Sequence, residues 1–227
     1  MLKRPILDPD RNYTFRSYFE LPYETDEVLA EFGYELRTDR LALPHSPNLP
    51  PRLPAIAQEI EEILRLTLLS SEAAKRELLI APIIAEVARF CRCSLRIEYN
   101  LTVNQWLKGE LDYLLRSHPT QPETKQDSVL VIEAKRDDLT RGFTQLAVEL
   151  IALAEVEPGD VFYGAVTTGN IWQFGRLDRP TQTITQDLQQ RSIFSNLPEI
   201  ASILVGILKP IEASSHQSPA ESAPRSG

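Results

Sequence analysis

The chain has 227 residues, of which 42% are hydrophobic and 25% are charged, and its formal net charge is −8. These proportions are typical of a globular chain with one substantial hydrophobic core and an extension. The excess of acids argues against a protein that holds nucleic acid by bulk electrostatic attraction, because such proteins are usually rich in lysine and arginine.

Neither a membrane segment nor a secretion signal is expected. No apolar run approaches the roughly 18 residues of a membrane-spanning helix, and the basic start is not followed by an apolar run. Cys91 and Cys93 lack the second Cys or His pair of a zinc site, so we expect reduced thiols. The prediction is a cytoplasmic protein without membrane contacts.

Residues 1–54 are predicted to form an N-terminal extension that ends in a proline-rich connector. Its aromatic residues are expected to pack on the main domain or on a partner, either a second copy of the chain or another protein. The spacing of Val28, Leu29 and Phe32 predicts a short helix. Five prolines between residues 43 and 54 predict a stiff, extended connector.

The main domain is predicted to span residues 55–211. Apolar residues recur at helical spacing in residues 55–69, and a second helix follows in which Pro82 predicts a kink or a new helical segment. Alternating and apolar runs then predict strands over residues 95–102, 107–115 and 128–134, with a polar loop over 117–127.

The second half of the domain begins with a helix capped by Asp138. A hairpin is predicted over residues 161–174 and a closing helix over 198–208, before a disordered tail at 212–227. A crossover helix after the third strand places the fourth strand beside it. The predicted fold class is therefore α/β, with a mixed sheet flanked by helices.

Charged residues lie at the ends of two predicted strands. Glu110 and Asp112 share one strand face, and Glu133 shares a face with Lys135. The apolar run before Glu133 is typical of a strand buried on both faces. Charge at such a position is costly unless it is paired or bound to a metal ion, which indicates a function.

Carboxylate oxygens from Asp112 and Glu133 suit Mg²⁺, with Mn²⁺ as the alternative ion. Lys135 would then orient a metal-bound water or help to deprotonate it, which is the chemistry of phosphodiester hydrolysis. The competing interpretation is an ordinary Lys–Glu pair at the margin of a sheet, since the tripeptide Glu-x-Lys is common.

In order and spacing, residues 70–174 resemble the PD-(D/E)XK nuclease superfamily, the restriction-endonuclease-like fold. Asp112 matches the metal-binding aspartate of the second core strand, although Leu111 stands where the motif has proline. Glu133-Ala134-Lys135 matches the (D/E)XK of the third strand.

Two further positions resemble functional residues of the superfamily. Glu77 matches the acid that many members carry on the first core helix, and Gln145 matches the glutamine that some members place on the helix after the lysine strand. Those members often have tyrosine four residues later, where this chain has Glu149.

The resemblance implies a Mg²⁺-dependent, endonuclease-like hydrolase that acts on DNA, with RNA left open as the substrate. Its implied site residues are Asp112, Glu133, Lys135, Glu77 and Gln145, of which Asp112 and Glu133 bind the metal. The alternative is a non-catalytic member of the fold that serves as a subunit or interaction protein, which suits the acidic charge. A sugar- or nucleotide-binding module ranks last because the chain has no Gly-rich phosphate loop.

Overall fold

A seven-stranded mixed sheet organises residues 5–117 and 129–209, the parts of the chain that the computed structural model describes. The strands are β1 (Glu35–Asp39), β2 (Ser94–Thr102), β3 (Lys108–Arg116), β4 (Val129–Ala134), β5 (Val161–Thr167), β6 (Ile171–Asp178) and β7 (Thr183–Ser192). Their order across the sheet is β1-β7-β6-β5-β4-β3-β2. The pairs β4–β5 and β1–β7 are parallel, and the other pairs are antiparallel.

Helices cover both faces of the sheet. They are α1 (Phe15–Glu20), α2 (Thr25–Ala30), α3 (Leu53–Leu64), α4 (Glu72–Lys75), α5 (Ala81–Cys91), α6 (Leu139–Val156) and α7 (Ile193–Leu208). Helices α3, α5 and α7 bury apolar residues on one face, and α1, α2 and α6 do so on the other. Strand β4 lies between these two cores with all six residues buried, as its unbroken apolar sequence predicts.

The predicted α/β class with a mixed, helix-flanked sheet is confirmed. Strands β2, β3 and β4 and the helix capped by Asp138 occur where the sequence predicts them, and the Asp138 side chain accepts a hydrogen bond from the N–H of Arg141. A π-helical turn (Arg76–Ile80) joins α4 to α5, so Pro82 does begin a new helical segment. The predicted loop over residues 117–127 lies almost wholly outside the described residues, and the predicted tail over 212–227 entirely so.

Two strands are missing from the prediction. Strand β1 is a short, exposed edge strand, and β7 has a polar sequence in which buried Asp187 pairs with buried Arg191 at 2.8 Å. A charged pair inside a strand removes the alternation of apolar and polar residues on which strand prediction depends. Helix α7 also begins at Ile193, before the predicted residue 198, and includes a kink at Asn196.

The N-terminal extension contributes to both faces and to one edge of the sheet. Strand β1 pairs with β7, and the aromatic residues Tyr13, Phe15 and Tyr18 are buried in the core beneath α6. The Tyr18 hydroxyl donates a 2.7 Å hydrogen bond to the carbonyl of Trp106, in the turn before β3. These aromatics therefore pack on the main domain, one of the two predicted alternatives.

No helix in the described ranges, 5–117 and 129–209, combines the length and the apolar character needed to cross a bilayer.

Close packing of the proline-rich connector on α7 gives a stability prediction. A Cβ atom at Gly206 would lie 2.6 Å from the carbonyl oxygen of Pro44, which is backbone and cannot rotate away. We expect Gly206→Ala to reduce the free energy of unfolding by about 1–3 kcal/mol in urea titrations, the usual cost of overpacking. Ser195→Ala is the control, because it also introduces alanine into α7 but at an exposed position. Equal stability of the two variants would show that the connector yields easily.

Candidate active site

The candidate site lies where two neighbouring strands separate. Strands β3 and β4 pair from Tyr113–Ile132 to Arg116–Val129, and the ladder stops at the next residues, Asp112 and Glu133. The backbone N–H of Ala134 donates instead to Asp112 Oδ2 at 2.8 Å. The carboxylate therefore satisfies a backbone group that the ladder leaves free and is fixed beside the end of β4.

Arg76 contacts the other oxygen of Asp112. The distance from Arg76 Nη1 to Asp112 Oδ1 is 3.4 Å, and Arg76 Nη2 donates to Glu98 Oε1 at 3.2 Å. The guanidinium also lies 5.5 Å from the ring centre of Tyr113. Glu98 has a left-handed backbone conformation with φ of +51°, and it lies between the β2–β3 pairs Ile97–Tyr113 and Tyr99–Leu111, at the register position of Asp112. Such a conformation is strained for a residue other than glycine and is often found at functional sites.

A buried chain of polar groups lies behind Asp112. Lys135 Nζ is 2.5 Å from Glu133 Oε1, and Gln145 Nε2 donates to the same oxygen at 2.7 Å. The Gln145 amide nitrogen also donates to Glu149 Oε1 at 2.9 Å. Glu133 and Glu149 are 2% and 0% exposed. One amide therefore bridges two buried carboxyl groups.

The pKa values of this cluster shift because its carboxyl groups are buried and its charged groups lie close together. Burial, reinforced by the nearby Glu149 and Asp112, raises the pKa of Glu133 well above its ordinary value. Burial raises the pKa of Glu149 to about 8. For Lys135, burial lowers the pKa, but the attraction of Glu133 outweighs it and the net pKa is raised. Lys135 is therefore a cation at neutral pH.

Space for the Lys135 side chain comes from Gly142 on α6. A Cβ atom there would lie 2.8 Å from Lys135 Cγ. The ammonium group rests 4.9 Å from the ring centre of Phe19, in the N-terminal extension. The aliphatic chain and the ammonium group of Lys135 are therefore both confined, and the ammonium nitrogen is held at the candidate site.

A polar cavity of about 710 Å³ opens over these groups. Its floor includes Asp112 and Glu133, and its walls include Thr14, Arg16 and Phe19 of the N-terminal extension. Cationic side chains also line it, namely Arg16, Arg76, Lys135 and Arg136. The cavity therefore presents both carboxylate oxygens and positive groups to a ligand.

Four of the five predicted site residues come together here, namely Asp112, Glu133, Lys135 and Gln145. The fifth, Glu77, is exposed on the π-helical turn, whereas Glu72 from α4 lines the cavity. Sequence reasoning did not single out Arg76 or Glu98. The pairing of β2 with β3 across a short turn is the sequence signal that would have placed Glu98 opposite Asp112.

The donor set suits a hard cation. Glu133 Oε2 is buried without a hydrogen-bond partner among the described residues, and Asp112 lines the same cavity as Glu133. Within the described parts of the chain, no three Asp, Glu, His or Cys side chains are grouped to hold a metal ion. Two carboxylates are compatible with Mg²⁺, which usually keeps several waters and does not need a cage of protein ligands.

Comparisons with protein-family models and with curated proteins found no match to this chain.

Burial of Glu149 predicts a pH-dependent stability. Because burial raises its pKa from 4.5 to about 8, the unfolded chain loses this proton first as the pH rises. In EDTA, the titration of Glu149 should therefore lower the free energy of unfolding by up to about 1.4 kcal/mol per pH unit between pH 5 and 8, in addition to a contribution of the same sign from Glu133. We expect Glu149→Gln to flatten this fall in melts across that range.

The control for this prediction is Glu155→Gln, the same substitution at an exposed position of α6. It should leave the pH dependence of the parent protein unchanged. A slope that Glu149→Gln does not reduce would show that Glu149 is not the group that titrates.

Proposed function

We propose that the chain is a Mg²⁺-dependent phosphodiester hydrolase of endonuclease type that acts on DNA, built on a restriction-endonuclease-like fold. The observation that carries the proposal is the meeting of Asp112, Glu133 and Lys135 in one cavity, at the point where β3 and β4 separate. The order of elements also supports it, since β5 returns parallel to β4 after the crossover helix α6.

Asp112 and Glu133 would hold the ion, and Gln145 would keep the Glu133 carboxylate in place. The bound ion supplies positive charge against the phosphate and lowers the pKa of a coordinated water. The raised pKa of Lys135 favours one of its two predicted roles. As a cation it orients the attacking water or stabilises charge on a phosphate oxygen, and it does not take up a proton.

DNA is proposed as the substrate because the cavity combines cations that can contact phosphates with the hydrolytic groups. The net charge of −8 limits how many phosphates the surface can neutralise. Binding should accordingly be weak and sensitive to salt, with specificity arising at the cavity and not from general attraction.

A second candidate is a non-catalytic subunit or interaction protein of the same fold. One observation favours it: each acid already has a cationic neighbour, Arg76 for Asp112 and Lys135 for Glu133. Such a network is stable without a metal ion, as a purely structural role requires.

Cleavage assays with Lys135→Met test the catalytic role. The parent protein should cut DNA in Mg²⁺ or Mn²⁺ and not in EDTA. The variant should lose at least about 100-fold in rate, the usual cost of removing a group that stabilises transition-state charge. Its binding of Mg²⁺ in calorimetry should be retained or tightened, because a protonated lysine has no lone pair for the ion and its removal takes a positive charge away from Glu133.

Arg141→Met is the control, since Arg141 is an exposed cation on α6 that is not part of the cavity lining. Its effect on the cleavage rate should be small. If single-stranded, duplex and branched DNA all remain intact with the parent protein, the proposed activity is wrong.

Thermal melts with Asp112→Asn separate the two candidate functions. Asparagine keeps the acceptor for the Ala134 N–H, so the variant should fold. Mg²⁺ at a hundredfold excess over Kd should stabilise the parent by about 2.7 kcal/mol, through preferential binding to the native state. The variant should not respond. A parent melt that Mg²⁺ leaves unchanged, together with a loss of stability in Asp112→Asn, would favour the non-catalytic candidate.

A further inference from the structure

Arg76 is held in a way that an ordinary surface arginine is not. Its side chain is only 20% exposed, and it contacts three residues from β2 and β3: Glu98, Asp112 and Tyr113. Its own backbone lies at the start of the π-helical turn, where the Arg76 carbonyl accepts the N–H of Ala81. Turns of this type are frequent at functional sites.

The two acidic contacts of Arg76 differ. Glu98 Oε1 accepts a hydrogen bond from Nη2 at 3.2 Å, whereas Asp112 Oδ1 lies 3.4 Å from Nη1 in an ion pair. Asp112 Oδ2 is already committed to the N–H of Ala134. Oδ1 is therefore the oxygen left for any other cation, and the guanidinium of Arg76 occupies that side of the carboxylate.

We propose that Arg76 neutralises Asp112 in the metal-free protein and competes with the divalent cation for this carboxylate. Glu98 holds the Arg76 side chain in place when the cation binds. This inference rests on the proposed metal site. A divalent ion held by Asp112 would outweigh the single positive charge of Arg76, which lies 3.4 Å from Oδ1. Arg76 then moves from Asp112 while remaining bonded to Glu98 at the cavity wall.

Once displaced from Asp112, the guanidinium of Arg76 binds the phosphate of the substrate. Arg76 lines the cavity together with Asp112, and a planar guanidinium matches the oxygens of a phosphate. Metal binding therefore converts Arg76 from a partner of Asp112 into a donor for the phosphodiester. Without the metal, the acids remain neutralised by Arg76 and the cavity has less free positive charge for DNA.

The test is the affinity for Mg²⁺, measured by calorimetry on the full chain. Removing the competing charge with Arg76→Met should tighten Mg²⁺ binding by about tenfold, as expected for a unit charge near a partly exposed dication. Arg136→Met removes the same charge from the same cavity, but its partner is Asp137 and not a proposed ligand. It should change the affinity less than twofold.

A double-mutant cycle isolates the role of Glu98. Glu98→Gln should weaken Mg²⁺ binding in the parent, because Arg76 is then attracted to Asp112 alone. The same substitution in an Arg76→Met background should have a clearly smaller effect, because there is no guanidinium left to redirect. Equal effects in both backgrounds would mean that Glu98 acts through its own charge, which overturns its assigned role.

The outcomes also separate this inference from the proposed function. If the parent binds Mg²⁺ and Arg76→Met binds it no better, the counter-ion role is wrong and the metal site stands. If Mg²⁺ binds to none of these proteins, the proposed metal site is wrong, and the inference fails with it. Melts in EDTA establish that each variant is folded, so a change in affinity is not a loss of structure.

Discussion

The burial of Glu133 is the constraint on which the rest of the site depends. Strand β4 is enclosed on both faces, so the carboxyl group of Glu133 near its end cannot be hydrated. This group must find partners within the protein. Lys135 and Gln145 provide them, and Glu149 anchors the amide of Gln145 from the next turn of α6. The tight arrangement of this cluster follows from the need to satisfy a buried carboxyl group at the end of an apolar strand.

The N-terminal extension completes this arrangement from outside the central strands. Phe19 covers the head of Lys135, and Tyr18 ties the extension to the turn before β3. A residue in contact with both solvent and an aromatic ring keeps its charge while it loses rotational freedom. The extension is therefore part of the site wall, and the position of Lys135 depends on residues more than 100 positions earlier in the chain.

Most of the central fold could be predicted, because β2, β3, β4 and α6 carry regular hydrophobic patterns and clear turn signals. Strand β7 could not, since it buries the ion pair of Asp187 and Arg191 where a strand normally buries apolar residues. Asp112, Glu133 and Lys135 could be placed together because strand periodicity fixes which face they share. The place of Arg76 depends on the π-helical turn, and the left-handed conformation of Glu98 interrupts a strand; periodicity predicts neither, although β2–β3 pairing places Glu98 near Asp112.

The parallel pairing of β1 with β7 has a consequence for how the molecule is made. Glu35 lies opposite Thr183, so the first strand of the sheet finds its neighbour only after the last strand has left the ribosome. Contacts between such distant residues close large loops and slow the folding of a chain. The edge of the sheet next to the extension is therefore completed late. Since the extension also supplies one wall of the cavity, the segment that carries this wall is anchored at the sheet edge only once β7 is in place.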